Sequence, residues 1–156
     1  ELDQLYRLDW RGFVLIVDDN FIGNKQEVKH NLLPAMKAWM QQHGYPFTFS
    51  IQVSINLADD DELLMLMRDT GFCYTFIGIE TPDEKSLHDC SKYQNNNRDL
   101  LQSVAKIQKA GMQVAAGFIV GFDSDTPSVF QRQIDFIQKS GIVSAMVGLL
   151  NAPKNT

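Results

Sequence analysis

The chain has 156 residues, 44% of them hydrophobic and 21% charged, the size and balance of one ordinary globular domain. A net charge of −5 argues against a nucleic-acid or anionic-membrane binder, which would carry clustered lysine and arginine. Two cysteines exclude a disulfide framework and any site built from three or four thiolates of this stretch alone.

Residues 1–8 read as the end of an amphipathic helix through Leu2, Leu5 and Tyr6, with neither the basic nor the apolar segment of a signal peptide. A first strand is predicted over 13–17. Asn24 followed by Glu27 has the spacing of a capping box and opens a long helical stretch that Pro34 should kink or divide. A second strand is predicted over 47–52. Asp59 with Glu62 then offers the next cap, ahead of the apolar positions Leu63, Leu64 and Met67. The third strand, 73–79, precedes Thr81 and Glu84, a further capping pair with Pro82 in the first helical position. Leu100, Leu101, Val104 and Ile107 mark a helical face, the fourth strand covers 113–119, Thr126 and Pro127 open a last helix, and the fifth strand covers 143–149. Gly44, Gly71, Gly111 and Gly141 end the helical patterns, where a left-handed residue is expected.

The longest apolar stretches, 114–122 and 142–150, run for about nine residues, whereas a membrane helix needs about 20. Their length suits strands buried on both faces. The sequence therefore points to a soluble, cytoplasmic α/β protein with no transmembrane segment and no nucleic-acid partner. Short apolar strands alternating with amphipathic helices imply parallel strands joined by right-handed crossovers. A doubly wound sheet and part of a (β/α) barrel fit this pattern equally. The opening helix has no strand before it and the last strand no helix after it, as in a piece cut from a longer chain.

Polar residues gather where strands end. Asp18, Asp19 and Asn20 follow the first strand; Gln52, Ser54 and Asn56 mark the second; Glu80 ends the third; Gly121, Asp123 and Asp125 follow the fourth; Asn151 follows the fifth. Ligands of parallel α/β proteins bind at these carboxyl ends. Helix N-termini attract acids as well, which accounts for most of these residues taken singly. It does not account for the adjacent Asp18 and Asp19, or for Glu80 ahead of a cap. Gly117 and Gly121 admit close approach of a ligand or another backbone. No GxGxxG or GxxxxGK[ST] pattern occurs. His30, His43 and His88 sit in helical stretches without metal-ligand spacing, His88-Asp89-Cys90 lies away from the strand ends, and Cys73 reads as a small hydrophobe.

Val17-Asp18-Asp19-Asn20-Phe21, the run Phe-Ile-Gly-Ile-Glu-Thr-Pro at 76–82 and the run Gly-Phe-Ile-Val-Gly-Phe-Asp at 117–123 are similar to segments of radical S-adenosylmethionine (SAM) enzymes. They resemble the subgroup with a cobalamin-binding domain upstream, over nearly the whole chain. The resemblance implies a partial TIM-type (β/α)₆ barrel whose second to sixth strands lie here, so that residues 1–156 form a truncated core without a second domain. It implies that Asp18, Asp19 and Asn20 stand where a Gly-Gly-Glu motif holds the methionine amino group. Gln52, Ser54 and Glu80 would reach the ribose and carboxylate. Gly117, Ile119 and Gly121 would fit GxIxGxxE against adenine, with Ser124 in place of the final Glu and Asp123 or Asp125 as substitutes. Leu150 and Asn151 would flank adenine. The CxxxCxxC loop that binds a [4Fe–4S] cluster is absent, and Cys73 and Cys90 have neither its spacing nor its placement. The cluster ligands are thus expected upstream and this stretch alone should be silent, with no catalytic residue assigned. The parent would cleave SAM to a 5′-deoxyadenosyl radical, or transfer methyl with cobalamin, on an unidentified small-molecule or lipid-like substrate. Two other readings stay open: a Mg²⁺-dependent barrel hydrolase or lyase using Asp19, Glu80 and Asp123, and a non-catalytic α/β binding module. An open barrel edge at 13–17 would favour self-association.

Overall fold

A computed structural model describes residues 1–83, 86–87, 95 and 98–151. The expectations for Glu84, His88 and Cys90 fall outside them. The described residues form one five-stranded sheet of β1 (Gly12–Leu15), β2 (Phe47–Val53), β3 (Phe72–Glu80), β4 (Gln113–Val120) and β5 (Ser144–Leu149). Every pairing is parallel and the spatial order is the chain order. A doubly wound sheet reverses direction at a switch point; this one does not, and it curls into a half-barrel.

The helices follow from local chemistry. α1 (Leu2–Arg7) precedes β1. Asn24 caps α2 (Lys25–Glu27) by accepting the Glu27 N–H at 3.2 Å, but the Glu27 carboxylate turns to Asn31, so half of the capping box forms. The helix widens into a π-helical turn, Val28–Leu32, and resumes as α3 (Leu33–Gln42). Pro34 cannot donate to the carbonyl four residues back, which accounts for this division. A 3₁₀ turn, Ile55–Asp59, precedes α4 (Asp61–Thr70) and moves its start on by one residue. The cap is therefore Asp60, which accepts the Leu63 N–H at 3.0 Å, and not Asp59, which pairs with Arg98. Thr81 accepts the Asp83 N–H, and Asp83 in turn accepts the Ser86 N–H. α5 (Leu100–Lys109) is capped by Asp99. α6 (Val129–Ser140) starts two residues after Pro127.

The core lies between the helices and the convex face of the sheet. Phe49 and Ile51 of β2, Ile77 and Ile79 of β3, and Val114 and Ala116 of β4 are completely buried, as are Leu33, Met40, Leu63, Met67, Val104 and Ile107 from the helices. Each of these side chains other than Ala116 contributes about 1.5–3 kcal/mol. Gly71, at φ +106°, is required where α4 meets β2, because a Cβ would lie 3.3 Å from the Phe47 carbonyl oxygen.

The two edges differ from this middle. All six residues of β5 are exposed, contrary to the expectation that 142–150 is buried on both faces. The reason is positional: α6 packs on β4 and α5, and no described helix covers β5. At the other edge Phe13, Leu15 and Val17 are exposed, as expected for an open barrel. No helix of the described residues is long and apolar enough to cross a membrane.

Candidate functional site

Paired residues of a parallel sheet point to the same side, and each strand alternates sides. The register aligns Gln52 with Phe76 and Ala115, and two residues further, on the same side, aligns Gly78 with Gly117 and Met146. Gly78 and Gly117 stand side by side and add no side chains to the floor, where the Phe76 ring leans over Gly117. A Cβ at Gly117 would come within 3.1 Å of the Phe76 ring, so this approach requires glycine or a displaced ring.

Above the floor, at the carboxyl ends of the strands, lies a cavity of about 450 Å³. Seven of the sequence-predicted residues line it: Asp19, Asn20, Gln52, Ser54, Glu80, Gly117 and Ile119. Asp18, Gly121 and Asn151 do not. Asp18 faces a neighbouring trough, and Gly121 and Asn151 stand beyond the rim.

The polar loop after β1 is held by an aromatic plug. Phe21 is buried, with its ring centroid 5.3 Å from that of Phe72, and its N–H donates to the Gln52 carbonyl at 3.0 Å. Asn20 Oδ1 accepts the Ser54 N–H at 3.2 Å, tying this loop to the end of β2. Asp18 and Asp19, between strand and plug, remain exposed.

The end of β4 is held from behind. The buried Gln133 of α6 donates to the Ile119 carbonyl at 2.7 Å. Beyond it Gly121 takes φ +102°, and the N–H groups of Gly121 and Phe122 both donate to Asp125 Oδ2, at 2.8 and 3.1 Å. Asp125, of the two considered substitutes for the missing Glu, is thus the one that ties this turn; Asp123 is exposed. The Ser86 hydroxyl links Asp125 Oδ1 to Asp83 Oδ1, and Asp83 forms an ion pair with Arg132. Burial pushes the Asp83 carboxyl up, but the Ser86 N–H and the Arg132 charge outweigh it and hold the group below its ordinary value.

Beside the polar cavity runs an apolar trough of about 620 Å³, lined by Phe13, Leu15, Val17, Tyr74, Phe76 and Met146. It shares Asp19, Gln52, Phe76 and Met146 with the cavity, so the two adjoin. Phe76, Gly78, Met146 and Gly148 line the cavity but were not among the predicted site residues. Their signal is the period of two: counting back from Glu80 gives Gly78 and Phe76.

Cys73 Sγ sits near the start of β3, away from the cavity, 3.7 Å from the Phe49 carbonyl oxygen. Among the described residues no three His, Cys, Asp or Glu are placed to hold a metal ion. Asp19, Glu80 and Asp123 therefore do not form the magnesium triad, and Cys73 does not fit a cluster.

No protein-family profile matches the chain. Over all 156 residues it is 47% identical to the uncharacterized methyltransferase sll1242 of Synechocystis sp. and 37% identical to the hopanoid C-2 methylase of Rhodopseudomonas palustris. It spans 29% of the length of each. Its fold superposes on the radical SAM methyltransferase TsrM from Kitasatospora setae, solved with cobalamin and a [4Fe-4S] cluster bound. The TM-score is 0.77 at 14% identity, over 96% of this chain and 29% of that one. TsrM solved with its tryptophan substrate and the SAM analog aza-SAM gives a TM-score of 0.76, with the same identity and coverage.

Proposed function

We propose that the chain is a segment of a radical SAM barrel and that its parent protein is a radical SAM methyltransferase in which these residues seat SAM. In this reading residues 1–156 are the second to sixth strands of the barrel. One observation carries it: the cavity at the strand ends, floored by Gly78 and Gly117 and walled by Asp19, Asn20, Gln52, Ser54 and Glu80. These residues fit the molecule. A glycine floor with the Phe76 ring beside it suits a flat ring, and the acceptors around it suit an ammonium and hydroxyls.

Asp19 and Asn20 hold the methionine amino group, with Asp18 turned to the adjoining trough. Gln52, Ser54 and Glu80 take the ribose and carboxylate. Gly117 and Ile119 receive adenine, with Gly121 and Asn151 beyond the rim. When bound, SAM supplies a methyl group and, on one-electron reductive cleavage, a 5′-deoxyadenosyl radical. The described residues offer no seat for a [4Fe–4S] cluster, so a cluster that donates the electron would be held outside them.

The apolar trough receives the substrate, a small or lipid-like molecule with an apolar body. Its lining supports this, as does the 37% identity to a methylase named for hopanoids. Severed from its parent, the chain pairs through its open strand edge; concentration-independent sedimentation as a monomer would count against that.

The test is calorimetric titration of the full-length protein with SAM. Replacing Asp19 and Gln52 together by alanine is expected to weaken binding at least about tenfold, or 1.4 kcal/mol, with stability within about 0.5 kcal/mol because both side chains are exposed. Unchanged affinity overturns the proposal.

A further inference from the structure

β3 ends abnormally. Its pairing with β4 runs in step as far as Gly78 opposite Gly117, then skips Ile79, so that Glu80 stands opposite Phe118. The extra residue bends the strand. Glu80 adopts φ +65°, in the left-handed region that disfavours a side chain. The Thr81 N–H closes onto the Ile79 carbonyl at 2.9 Å, making a γ-turn around Glu80 of the positive-φ kind, which is rare and strained. Such a conformation persists only where its surroundings over-determine it.

The surroundings include Asn95, only 2% exposed. Its Nδ2 donates to the Gly78 carbonyl at 3.2 Å and to the Ile79 carbonyl at 2.9 Å. Successive carbonyls of a straight strand point to opposite sides, beyond the reach of one amide nitrogen. Both bonds can form because β3 turns here. Asn95 Oδ1, in contrast, is buried and accepts no hydrogen bond, which by itself is unfavourable. The side chain's worth thus lies in its two donated bonds, both to the residues just before Glu80.

We infer that Asn95 is a positioning residue for the SAM seat: from outside the cavity it clamps the β3 bulge and so holds Glu80 at the cavity wall. The inference rests on the SAM reading above and extends it to a residue that touches no ligand.

A double-mutant cycle in the full-length protein tests it, with SAM affinity measured by calorimetry. Asn95→Leu, close in shape but without donors, and Glu80→Ala are each expected to weaken SAM about tenfold. The double variant is expected to bind no more weakly than E80A alone, because Asn95 acts through Glu80. A merely structural Asn95 would add its loss to that of E80A, and such additivity overturns the inference. N95L binding SAM like the unaltered protein while E80A binds weakly overturns it too, and leaves the SAM reading standing. Failure of the unaltered protein to bind SAM, or E80A binding as tightly as wild type, overturns the reading of the site and the inference with it. Glu80→Gly gives a folding readout. Glycine takes positive φ without penalty, so N95L is expected to lower the melting temperature less in that background; an equal loss in both backgrounds counts against the clamp. Should N95L fail to fold, Asn95→Ser, which keeps one donor, takes its place in the same cycle.

Discussion

The two faces of this sheet come from the same strands yet are built oppositely. On the convex face Ile51, Ile77, Ile79 and Val114 are bulky, branched and completely buried under helices. On the concave face, one residue away in each case, stand Gln52, Gly78, Glu80 and Ala115, which are polar, small or conformationally strained. A period of two therefore separates what holds the sheet from what it holds. Neighbouring residues should consequently respond to substitution in different measurements, stability on one face and ligand affinity on the other.

The largest effect should come from the convex face. Ile77→Ala removes a fully buried side chain and is expected to cost about 2–5 kcal/mol in denaturant unfolding. A loss below about 1 kcal/mol would erase the distinction between the faces. Next comes its opposite, Gly117→Val. The new side chain enters the cavity against the Phe76 ring, so SAM affinity should fall about 10–100-fold while unfolding free energy stays within about 1 kcal/mol. Calorimetry and denaturation on the same preparation decide it, and a large stability loss with intact binding would reverse the assignment of faces. Asp60→Ala is smaller. It removes the cap on the Leu63 N–H and the ion pair with Lys29, and should cost about 1 kcal/mol without touching SAM affinity.

Smallest is the dependence on acid. The Arg98 guanidinium holds the Asp59 carboxyl below its ordinary value of 3.8, and Arg68 with Lys37 does the same for Asp69. A carboxyl depressed in the folded state binds its proton more readily when unfolded. The stability it contributes is present above pH 3.8 and is lost as pH falls through the lower folded-state value. Melting temperature should therefore drop below pH 3.8, and Arg98→Gln should flatten that limb; an unchanged limb would show that the pair contributes nothing.

Much of this was readable in the sequence, because the strands announce themselves locally. All five predicted strands fall within a few residues of the observed ones, since glycine after a helix and a short apolar run are local signals. The Asp60 cap was missed by one position because the 3₁₀ turn before it depends on burying Ile55 and Leu57, a tertiary matter. The exposure of β5 was misread because hydrophobicity reports what a strand could bury, not what lies next to it. Seven site residues were found by the polarity of strand ends, but Phe76 and Met146 look like ordinary core residues until the register places them on the concave face. Asn95 carries no local signal at all: its partners lie 16 and 17 residues back, on a strand it does not adjoin in sequence.

The order in which the strands pair has a consequence for assembly. Each strand bonds only to those made immediately before and after it, so no pairing has to wait for a distant part of the chain. Loop-closure entropy rises with the length of chain between partners, and folding slows accordingly. Here the longest interval a pairing must close is one helical crossover. The sheet can thus lengthen strand by strand in the direction of synthesis, with α4 and α5 packing on the strands that follow them, β3 and β4.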